Sequence, residues 1–366
     1  MFLCKRRPLG RDLVSRPYGR FYYLPRLLAE RGHEVRILLL DYEGGEFIDR
    51  QAEGIHWLSV PFAATRPLHY LRVIKQELRR DAPDWLVGFS DTWYGILAEH
   101  YARRFGLRAC VDAYDNYESY ISWLKPLHWL WRRALRRADL LTAAGPGLLS
   151  LMTRGRNSGA AAVIPMAADP TGFKPGDRAA ARREFGLNEQ APLVGYCGSL
   201  HRNRGVDLLF EAMALLHARR PDVGFVHCGR TWADVPLPAW LESFGYLEDD
   251  RVPTLLNAMD VLVVCNQDSA FGQHSHPVKL YEAMACSIAV AATETPATRW
   301  ILAEHADMLV PAEDARLLCD AIERQLDRGR VDYRVINSWE ESTTRFADAL
   351  AAEFAGQAAG NASHVQ

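Results

Sequence analysis

The sequence predicts an α/β protein with two doubly wound domains, each built on a parallel sheet. Short, continuous apolar runs are typical of strands that are buried on both faces of such a sheet. Helical segments separate these runs, and the whole strand–helix alternation occurs twice along the chain. The chain has 366 residues, more than the roughly 250–300 residues at which a single hydrophobic core stops growing. We therefore expect two domains.

The first domain is predicted over residues 1–172. Gly19 precedes its first helix and Gly32 follows it, which allows a tight turn at each end and a ligand near the helix start. Its predicted strands are Val35–Leu40, Trp85–Phe89, Ala109–Asp112, Leu140–Ala143 and Ala162–Pro165. Its predicted helices are Tyr18–Arg31, Arg66–Arg79 and Trp129–Arg137.

The second domain is predicted over residues 173–338. Its predicted strands are Leu193–Cys197, Gly224–Cys228, Val261–Cys265, Ile288–Thr293 and Met308–Pro311, and its clearest helices are Val206–Arg219 and Val278–Ala285. A last helix at 339–355 is predicted to pack back on the first domain. Residues 356–366 are small and polar, so we expect a flexible tail there.

The composition excludes several classes of protein. Hydrophobic residues make up 49% of the chain and charged residues 24%, which are ordinary globular values and exclude disorder as the main state. The seven cysteines form no CxxC pair, and the histidines form no HExxH motif, so we predict no metal site. No run approaches the ~18 apolar residues of a membrane span, and the N-terminus lacks the features of a signal peptide. We expect a cytoplasmic protein whose cysteines are reduced.

The charge is distributed unevenly. Residues 1–170 hold 25 Lys and Arg against 18 Asp and Glu, whereas residues 171–366 hold 18 against 27. The basic half contains an aromatic and cationic helix at 129–137. Such a helix favours peripheral contact with the anionic inner face of the cell membrane. A core helix with a solvated basic face remains the alternative. No nucleic-acid motif is present, and we predict no nucleic-acid partner.

Residues 196–213 carry the first candidate binding motif. A strand ends at Cys197, Gly198 opens a loop with two arginines, Arg202 and Arg204, and a helix follows Gly205. A helix start with glycine and basic residues favours phosphate, which arginine can bind through two hydrogen bonds. An ordinary turn with solvated arginines is the alternative.

Residues 274–293 carry the second motif. Ser275 or His276 is predicted to cap a helix that begins at Pro277. Lys279 lies in the first turn, where a cation is unfavourable unless an anion binds there. Glu282 on the same helix can accept hydrogen bonds from ribose hydroxyls. An amphipathic helix with exposed charges is the alternative.

An acidic segment follows the predicted strand at Ala109–Asp112. Asp112, Asp115 and Glu118 come at the carboxyl end of this strand, where ligands bind in open α/β sheets. Carboxylates at this edge can bind sugar hydroxyls or act as a base. A loop that caps the next helix is the alternative.

Six segments in the same order resemble the retaining glycosyltransferases of family 4, and the resemblance covers nearly the whole chain. The segments are GRFYYLPRLLAERGHEV, ADLLTAAGPGLLSLM, AAVIPMAADPTGFKP, CGSLHRNRGVDLLFEAM, FGYLEDDRVPTLLNAMDVLVVC and HPVKLYEAMACSIAVAAT. The nearest resemblance is to bacterial members that build surface polysaccharides. It implies the GT-B fold, in which two Rossmann-like domains face each other across a cleft that closes over the donor. The C-terminal domain then binds a nucleotide sugar and the N-terminal domain binds the acceptor.

The resemblance also implies roles for individual residues. Arg204 and Lys279 are expected to stabilise the donor diphosphate during catalysis, and Glu282 to hold the ribose. Further donor contacts are expected at Gly19, Gly198, Ser199, Arg202, Tyr246, Leu247, His274 and Val278. Asp115 stands about where the family has a histidine. Asp268 is a candidate replacement for an acid that the family has at His274, and Ser199 stands where many members have arginine.

The resemblance implies transfer of a sugar from a nucleoside diphosphate sugar to an acceptor hydroxyl, with retention and without a cofactor or metal. The expected acceptor is a glycan or a lipid-linked glycan, and the donor base, UDP or GDP, stays open. Two alternatives remain. One is a GT-B protein that binds a nucleotide sugar or a partner without catalysis, and the other is a nucleotide-sugar epimerase or glycosyl phosphorylase.

Overall fold

A computed structural model describes residues 1–201, 204–334 and 336–362. The chain divides into two compact units. Unit 1 contains residues 1–166 and the C-terminal helix, and unit 2 contains Ala167–Ser338. Each unit has one sheet, with eight strands in unit 1 and six in unit 2. The predicted α/β class with two doubly wound domains is confirmed.

The sheet of unit 1 has the order β3-β4-β2-β1-β5-β6-β7-β8, and β3 pairs antiparallel with β4 while the other pairings are parallel. Its strands are β1 Phe2–Lys5, β2 Val35–Asp41, β3 Ile48–Ala52, β4 Ile55–Pro61, β5 Trp85–Gly88, β6 Arg108–Ala113, β7 Leu140–Ala143 and β8 Ala160–Val163. Its helices are α1 Arg20–Glu30, α2 His69–Arg80, α3 Thr92–Phe105, α4 Lys125–Arg137, α5 Pro146–Met152 and α12 Trp339–Ala362.

The predicted strands of unit 1 agree with the structure where the run is buried on both faces. β2, β5, β6 and β7 match their predictions to within a residue at each end. β8 begins two residues earlier than predicted, and β1, β3 and β4 were not predicted. The reason for β3 is physical: it is an edge strand whose central residues are exposed and polar, so it contains no apolar run.

Unit 2 has a fully parallel sheet in the order β11-β10-β9-β12-β13-β14. Its strands are β9 Leu193–Cys197, β10 Gly224–Cys228, β11 Leu241–Ser243, β12 Val261–Val264, β13 Ala289–Thr293 and β14 Leu309–Val310. Its helices are α6 Arg178–Glu184, α7 Val206–Arg219, α8 Arg251–Ala258, α9 Val278–Ala285, α10 Pro296–Ile301 and α11 Ala315–Arg328. Only the short β11 has no predicted counterpart, because three residues are too few for a recognisable pattern.

The units divide after residue 166, six residues before the boundary that the sequence predicts. The chain stays with unit 1 as far as Ile164, whose carbonyl accepts a hydrogen bond of 2.6 Å from Arg20. Further along, the chain is attached to unit 2 by hydrogen bonds between its backbone and Asn257. The Asn257 side chain accepts from the N–H of Gly176 at 2.8 Å and donates to the carbonyl of Lys174 at 3.0 Å.

The C-terminal helix α12 packs within unit 1. Trp339 stacks on Tyr23 with ring centroids 5.4 Å apart. Phe346 is fully buried and lies near Phe2 and Phe89. The helix extends to Ala362, so residues 356–362 are helical where the sequence predicts a tail. The rest of that tail, 363–366, lies outside the described residues.

Candidate functional site

The sheet of unit 2 has a switch point between β9 and β12. From β9 the chain proceeds to β10 and β11 on one side, whereas β12, β13 and β14 lie on the other. In open α/β sheets, ligands bind outside the carboxyl ends of the strands at this point. The two loops that begin there lie close together. A Cβ built on Gly205 would lie 3.4 Å from the Cβ of Cys265. The predicted Gly198–Gly205 loop is therefore at the switch point.

The backbone of Gly198 is held from the neighbouring strand β10. Its N–H donates to the carbonyl of Cys228 at 2.8 Å, and its carbonyl accepts from Nε2 of His227 at 2.9 Å. Burial lowers the pKa of His227, which keeps the ring neutral at pH 7. Gly229 must be glycine, because a Cβ there would lie 2.1 Å from the Gly198 carbonyl oxygen. His227 and Gly229 were not predicted from the sequence, although a glycine that directly follows a buried strand can indicate such a position.

Arg204 lies at the end of this loop. Its guanidinium group stands 4.7 Å from the centre of the Phe271 ring, a cation–π contact that orients the side chain. The structure therefore brings together Arg204 and the Phe271–Gly272 pair of the β12–α9 loop. Ser199 is exposed, and Arg202 lies outside the described residues.

Helix α9 begins at Val278, and the predicted cap at Ser275 or His276 is wrong. The N-cap residue is Pro277, whose backbone is extended and which has no N–H. Pro277 makes no side-chain capping hydrogen bond. The start of α9 therefore keeps its partial positive charge at the carboxyl edge of the sheet, as an anion site requires.

Lys279 and Glu282 form an ion pair on the first turns of α9. The Lys279 Nζ lies 2.7 Å from a Glu282 carboxylate oxygen, and Glu282 is only 9% exposed. Burial alone would lower the pKa of Lys279, but the Glu282 carboxylate outweighs it and the pKa lies above its usual value. Lys279 is therefore charged at pH 7. This buried pair contradicts the alternative of a helix with freely exposed charges.

Asn266 lies two residues after the end of β12 at the switch point, and it was not predicted from the sequence. It is 3% exposed, and its backbone N–H donates to the Thr293 hydroxyl at 2.7 Å. Within the described part of the chain, its side-chain Nδ2 has no hydrogen-bond partner. Because buried polar groups nearly always have partners, this amide is a candidate donor to a ligand.

Aromatic and cationic side chains surround the ends of β10 and β11. Tyr246 is 54% exposed, and the Arg230 guanidinium lies 5.6 Å from its ring centre. Trp232 is equally exposed and stands edge-on to His201, with centroids 4.7 Å apart. Leu247, in contrast, packs against the core of unit 2. Arg230 and Trp232 were not predicted, because nothing local in the sequence distinguishes them.

The remaining predicted residues of unit 2 lie in the loop before α9. Asp268 is exposed and accepts a hydrogen bond of 2.6 Å from Gln273. His274 is half-buried, and its Nδ1 lies 3.4 Å from the carbonyl oxygen of Ala270. Neither contact involves Lys279 or Glu282, so the expected roles of Asp268 and His274 stay predictions.

In unit 1, Gly19 is the N-cap of α1 with φ at 60°, a conformation that favours glycine. The next residue, Arg20, is buried and donates to the Asp112 carboxylate at 2.8 Å. Thr142 also donates to this carboxylate, at 2.6 Å. Asp112 lies inside β6 and is fully occupied by these partners. The interpretation of Asp112 as a ligand-binding carboxylate is therefore wrong.

Asp115 lines a cavity of about 380 Å³ between α4, α5 and the end of β6. Its carboxylate accepts from the Tyr120 hydroxyl at 2.6 Å. The walls combine apolar side chains with the Glu118–Arg132 pair, in which the arginine Nε donates to the carboxylate at 2.8 Å. Tyr117 also lines the cavity and is 3% exposed, and its hydroxyl has no partner within the described ranges.

Helix α4 buries one face, including Trp131, and exposes an aromatic and cationic face. Trp129 is 58% exposed and nearby Trp123 is 77% exposed. The Arg133 guanidinium lies 5.6 Å from the Trp129 ring centre, and two more arginines, Arg136 and Arg137, occupy the last turn. In the part of the chain that the structure describes, no helix has the length and apolarity to cross a bilayer.

Cys319, Asp320 and Glu323 are the one group of potential metal ligands found among the described residues. Cys319 is fully buried. Arg219 donates to Asp320 at 2.6 Å and to Glu323 at 2.9 Å. Because Arg219 already pairs with both carboxylates, we assign no metal to the group.

Two family models match the chain. The "Glycosyl transferase 4-like domain" matches residues 20–167, and "Glycosyl transferases group 1" matches residues 191–328. Together they cover most of the sequence, and the first match ends within a residue of the end of the first segment of unit 1. The chain belongs to the group 1 glycosyltransferases, also called family 4, and has the GT-B fold.

Curated relatives match part of the chain. The D-inositol 3-phosphate glycosyltransferase of Stackebrandtia nassauensis is 26% identical over 208 residues. The match covers 49% of this chain and 46% of the relative. The lipopolysaccharide core biosynthesis mannosyltransferase LpsB of Rhizobium meliloti is 25% identical over 189 residues, 47% of this chain and 52% of the relative. The matched region is thus about half the length of these relatives.

Solved structures match nearly the whole chain. Sucrose-phosphate synthase from Thermosynechococcus elongatus has a TM-score of 0.70 and 15% identity, covering 100% of this chain and 99% of that one. HepE from Anabaena in complex with UDP has a TM-score of 0.68 and 14% identity, covering 99% of each. At this identity the likeness establishes the fold.

Proposed function

We propose that the chain transfers a sugar from a nucleoside diphosphate sugar to an acceptor hydroxyl, with retention at the anomeric carbon. The observation that carries this proposal is the Lys279–Glu282 pair at the uncapped start of α9. It places a cation for a diphosphate beside a carboxylate for ribose hydroxyls, one turn apart on one helix. The Gly198 loop begins at the same edge of the same sheet.

The chemistry follows from where charge develops. As the glycosidic bond to the diphosphate breaks, the departing phosphate oxygens gain negative charge, and cations that are already in place stabilise it. We assign this role to Lys279, Arg204 and the N–H groups at Val278. The Asn266 amide supplies a further donor at the switch point. Asp115 and Asp268 are proposed to contact the sugar or the acceptor, and no enzymic nucleophile is assigned.

For the donor base we propose uracil. HepE, a neighbour in fold, is in complex with UDP. In this chain, the exposed Tyr246 ring with Arg230 beside it offers a flat surface for a base at the end of β11. The pair stands outside the core, at the carboxyl edge where the Gly198 loop begins.

For the acceptor we propose a glycan or lipid-linked glycan of bacterial glycoconjugate synthesis, bound by unit 1. The cavity beside Asp115 combines a carboxylate, a buried tyrosine hydroxyl and apolar walls, which suits a sugar ring. The exposed face of α4, with Trp123, Trp129 and arginines, suits contact with an anionic membrane at the cytoplasmic side. A relative that acts in lipopolysaccharide core biosynthesis supports this class of acceptor.

The donor proposal is tested with UDP, GDP and their sugars. Nucleotides that bind only the folded protein raise its melting temperature, and release of nucleotide from the sugar reports catalysis. We expect UDP and a UDP-sugar to stabilise the protein and the latter to be consumed. Binding without release of nucleotide would favour the non-catalytic alternative. In Arg204→Ala, normal turnover with intact folding would rule out its role at the diphosphate.

The membrane proposal is tested by sedimentation with liposomes of increasing anionic lipid content. Trp129→Ala is expected to weaken binding. Trp93→Ala is the matched control, because Trp93 is a 42% exposed tryptophan of α3 in the same unit. Sedimentation that does not respond to anionic lipid, or an equal loss in the two variants, would contradict contact through α4.

A further inference from the structure

Two cysteines meet at the carboxyl ends of neighbouring strands in unit 2. Cys197 is the last residue of β9 and Cys228 the last of β10, and the two are paired in the parallel register. Their Sγ atoms lie 3.1 Å apart and share a hydrogen bond. Each residue is 5% exposed. Among the described residues this is the one hydrogen bond between two cysteine sulfurs. It could not be predicted from the sequence, because 31 positions separate the two cysteines.

The surroundings favour a thiolate at one of the two sulfurs. The hydrogen bond shared with Cys197 lowers the pKa of Cys228, and the positive charge of Lys279 acts in the same direction. Burial has the opposite effect on Cys265, whose pKa it raises to about 12. The thiolate is the reactive form of cysteine, and susceptibility to oxidation follows thiolate character.

We propose that Cys197 and Cys228 are a site of reversible oxidation, at which a small hydroperoxide converts the two thiols into a disulfide. The Cys228 thiolate attacks a peroxide oxygen, the O–O bond breaks, and a sulfenic acid and hydroxide form. Cys197 then loses its proton and attacks the Cys228 sulfur, an S–S bond forms, and water leaves. With hydrogen peroxide, two thiols and one peroxide give one disulfide and two waters. A dithiol reductant reverses the reaction.

Oxidation would act directly on the Gly198 loop. A disulfide needs a sulfur separation of about 2.05 Å, so the sulfurs must approach each other by about 1 Å from their present 3.1 Å. The residue after each cysteine is a glycine, and the two are in contact: Gly198 N–H donates to the Cys228 carbonyl at 2.8 Å, and Gly229 packs on the Gly198 carbonyl. A shift of either strand end therefore reaches the loop. Oxidation also removes the cysteine charge that helps to raise the pKa of Lys279.

The consequence for ligand binding rests on the proposed function, whereas the oxidation itself does not. We expect the oxidised protein to bind UDP about tenfold more weakly, the factor that corresponds to weakening one charge-assisted hydrogen bond to phosphate. The site would then reduce donor binding under peroxide stress and recover it on reduction.

The test uses the full chain, reduced and then titrated with hydrogen peroxide. Peptide mapping by mass spectrometry is expected to find a Cys197–Cys228 cross-linked peptide that dithiothreitol removes. UDP titration by thermal shift before and after oxidation gives the change in affinity. Cys228→Ser should abolish both the cross-link and the loss of affinity. Cys265→Ser, which alters a similarly buried cysteine directly after β12, should leave both unchanged.

The two parts of the proposal fail separately. Oxidation of other cysteines without the Cys197–Cys228 peptide, at peroxide levels that leave the fold intact, would overturn the site. A cross-link formed in full with unchanged UDP affinity would overturn its effect on donor binding. If the reduced protein binds no nucleotide, the proposed function fails, while the peptide map still decides whether the oxidation site exists.

Discussion

Replacing Lys279 by methionine separates two roles of the α9 ion pair. The substitution keeps much of the side-chain length and removes the charge. It leaves the Glu282 carboxylate, which is 9% exposed, without its cation. Breaking a fully buried pair in this way costs about 3–5 kcal/mol of the free energy of unfolding. Because 33% of the Lys279 side chain is exposed, water compensates in part, and we expect about 1–3 kcal/mol.

The effect on the donor is expected to be separate and of similar size. Loss of one charged hydrogen bond to a diphosphate costs about 1.5–3 kcal/mol, which weakens UDP binding by about 10- to 150-fold. The double variant Lys279→Met with Glu282→Leu should recover most of the stability, because apolar residues replace both charges. It should not recover UDP binding.

Two measurements are needed for this series: urea denaturation for stability and UDP titration for affinity. Lys174→Met is the control, since Lys174 is an exposed lysine of the same unit, and it should change neither quantity. If Lys279→Met lowers stability while UDP affinity and turnover stay at the level of the control, then Lys279 only neutralises Glu282. The assignment of α9 as the diphosphate site would then be refuted.

Three further predictions concern buried polar groups. Arg20→Met should lower the free energy of unfolding by about 3–5 kcal/mol, because it leaves the buried Asp112 carboxylate without its cation. Urea denaturation measures this loss. The control is Arg26→Met, which alters a partly exposed arginine of α1 and should cost no more than about 1 kcal/mol. Asn266→Ala should weaken UDP binding with little loss of stability, since the Nδ2 makes no hydrogen bond to lose within the described residues. Unchanged UDP affinity in this variant would contradict the role of Asn266 as a donor to the ligand. Burial lowers the pKa of His227, so stability should fall as the pH drops below about 6.5, the unfolded value. Between pH 8 and 5, the melting temperature should fall less steeply for His227→Gln than for the wild type. Identical pH profiles for the two proteins would refute the attribution of this pH dependence to His227.

Residues whose chemistry depends on near neighbours in the chain were found from the sequence. Lys279 and Glu282 are three positions apart on a helix, so their closeness follows from helix geometry alone. Gly198 directly follows an apolar strand, and a strand, a glycine loop and a helix in that order place the loop at a sheet edge. The same local reasoning failed at the start of α9, because the extended backbone of Pro277 moves the helix start past Ser275 and His276.

Residues that act through distant contacts were missed or misread. Asp112 looks like an edge carboxylate in the sequence, but Arg20, which lies 92 positions away, occupies it. Asn266 looks like an ordinary loop residue until β12 is seen to lie beside β9. The contact of Arg204 with Phe271 also joins two loops that only the sheet brings together.

The sequence by itself determined the α/β class, the two domains, and most of the central strands and their helices. These follow from hydrophobic periodicity, because burial on two faces of a sheet or on one face of a helix requires a fixed spacing of apolar residues. Only the tertiary structure decided which side chains share the switch point and that Cys197 meets Cys228. Strand order is set by the packing of the whole sheet, and the spacing of residues along the chain carries no record of which strands become neighbours.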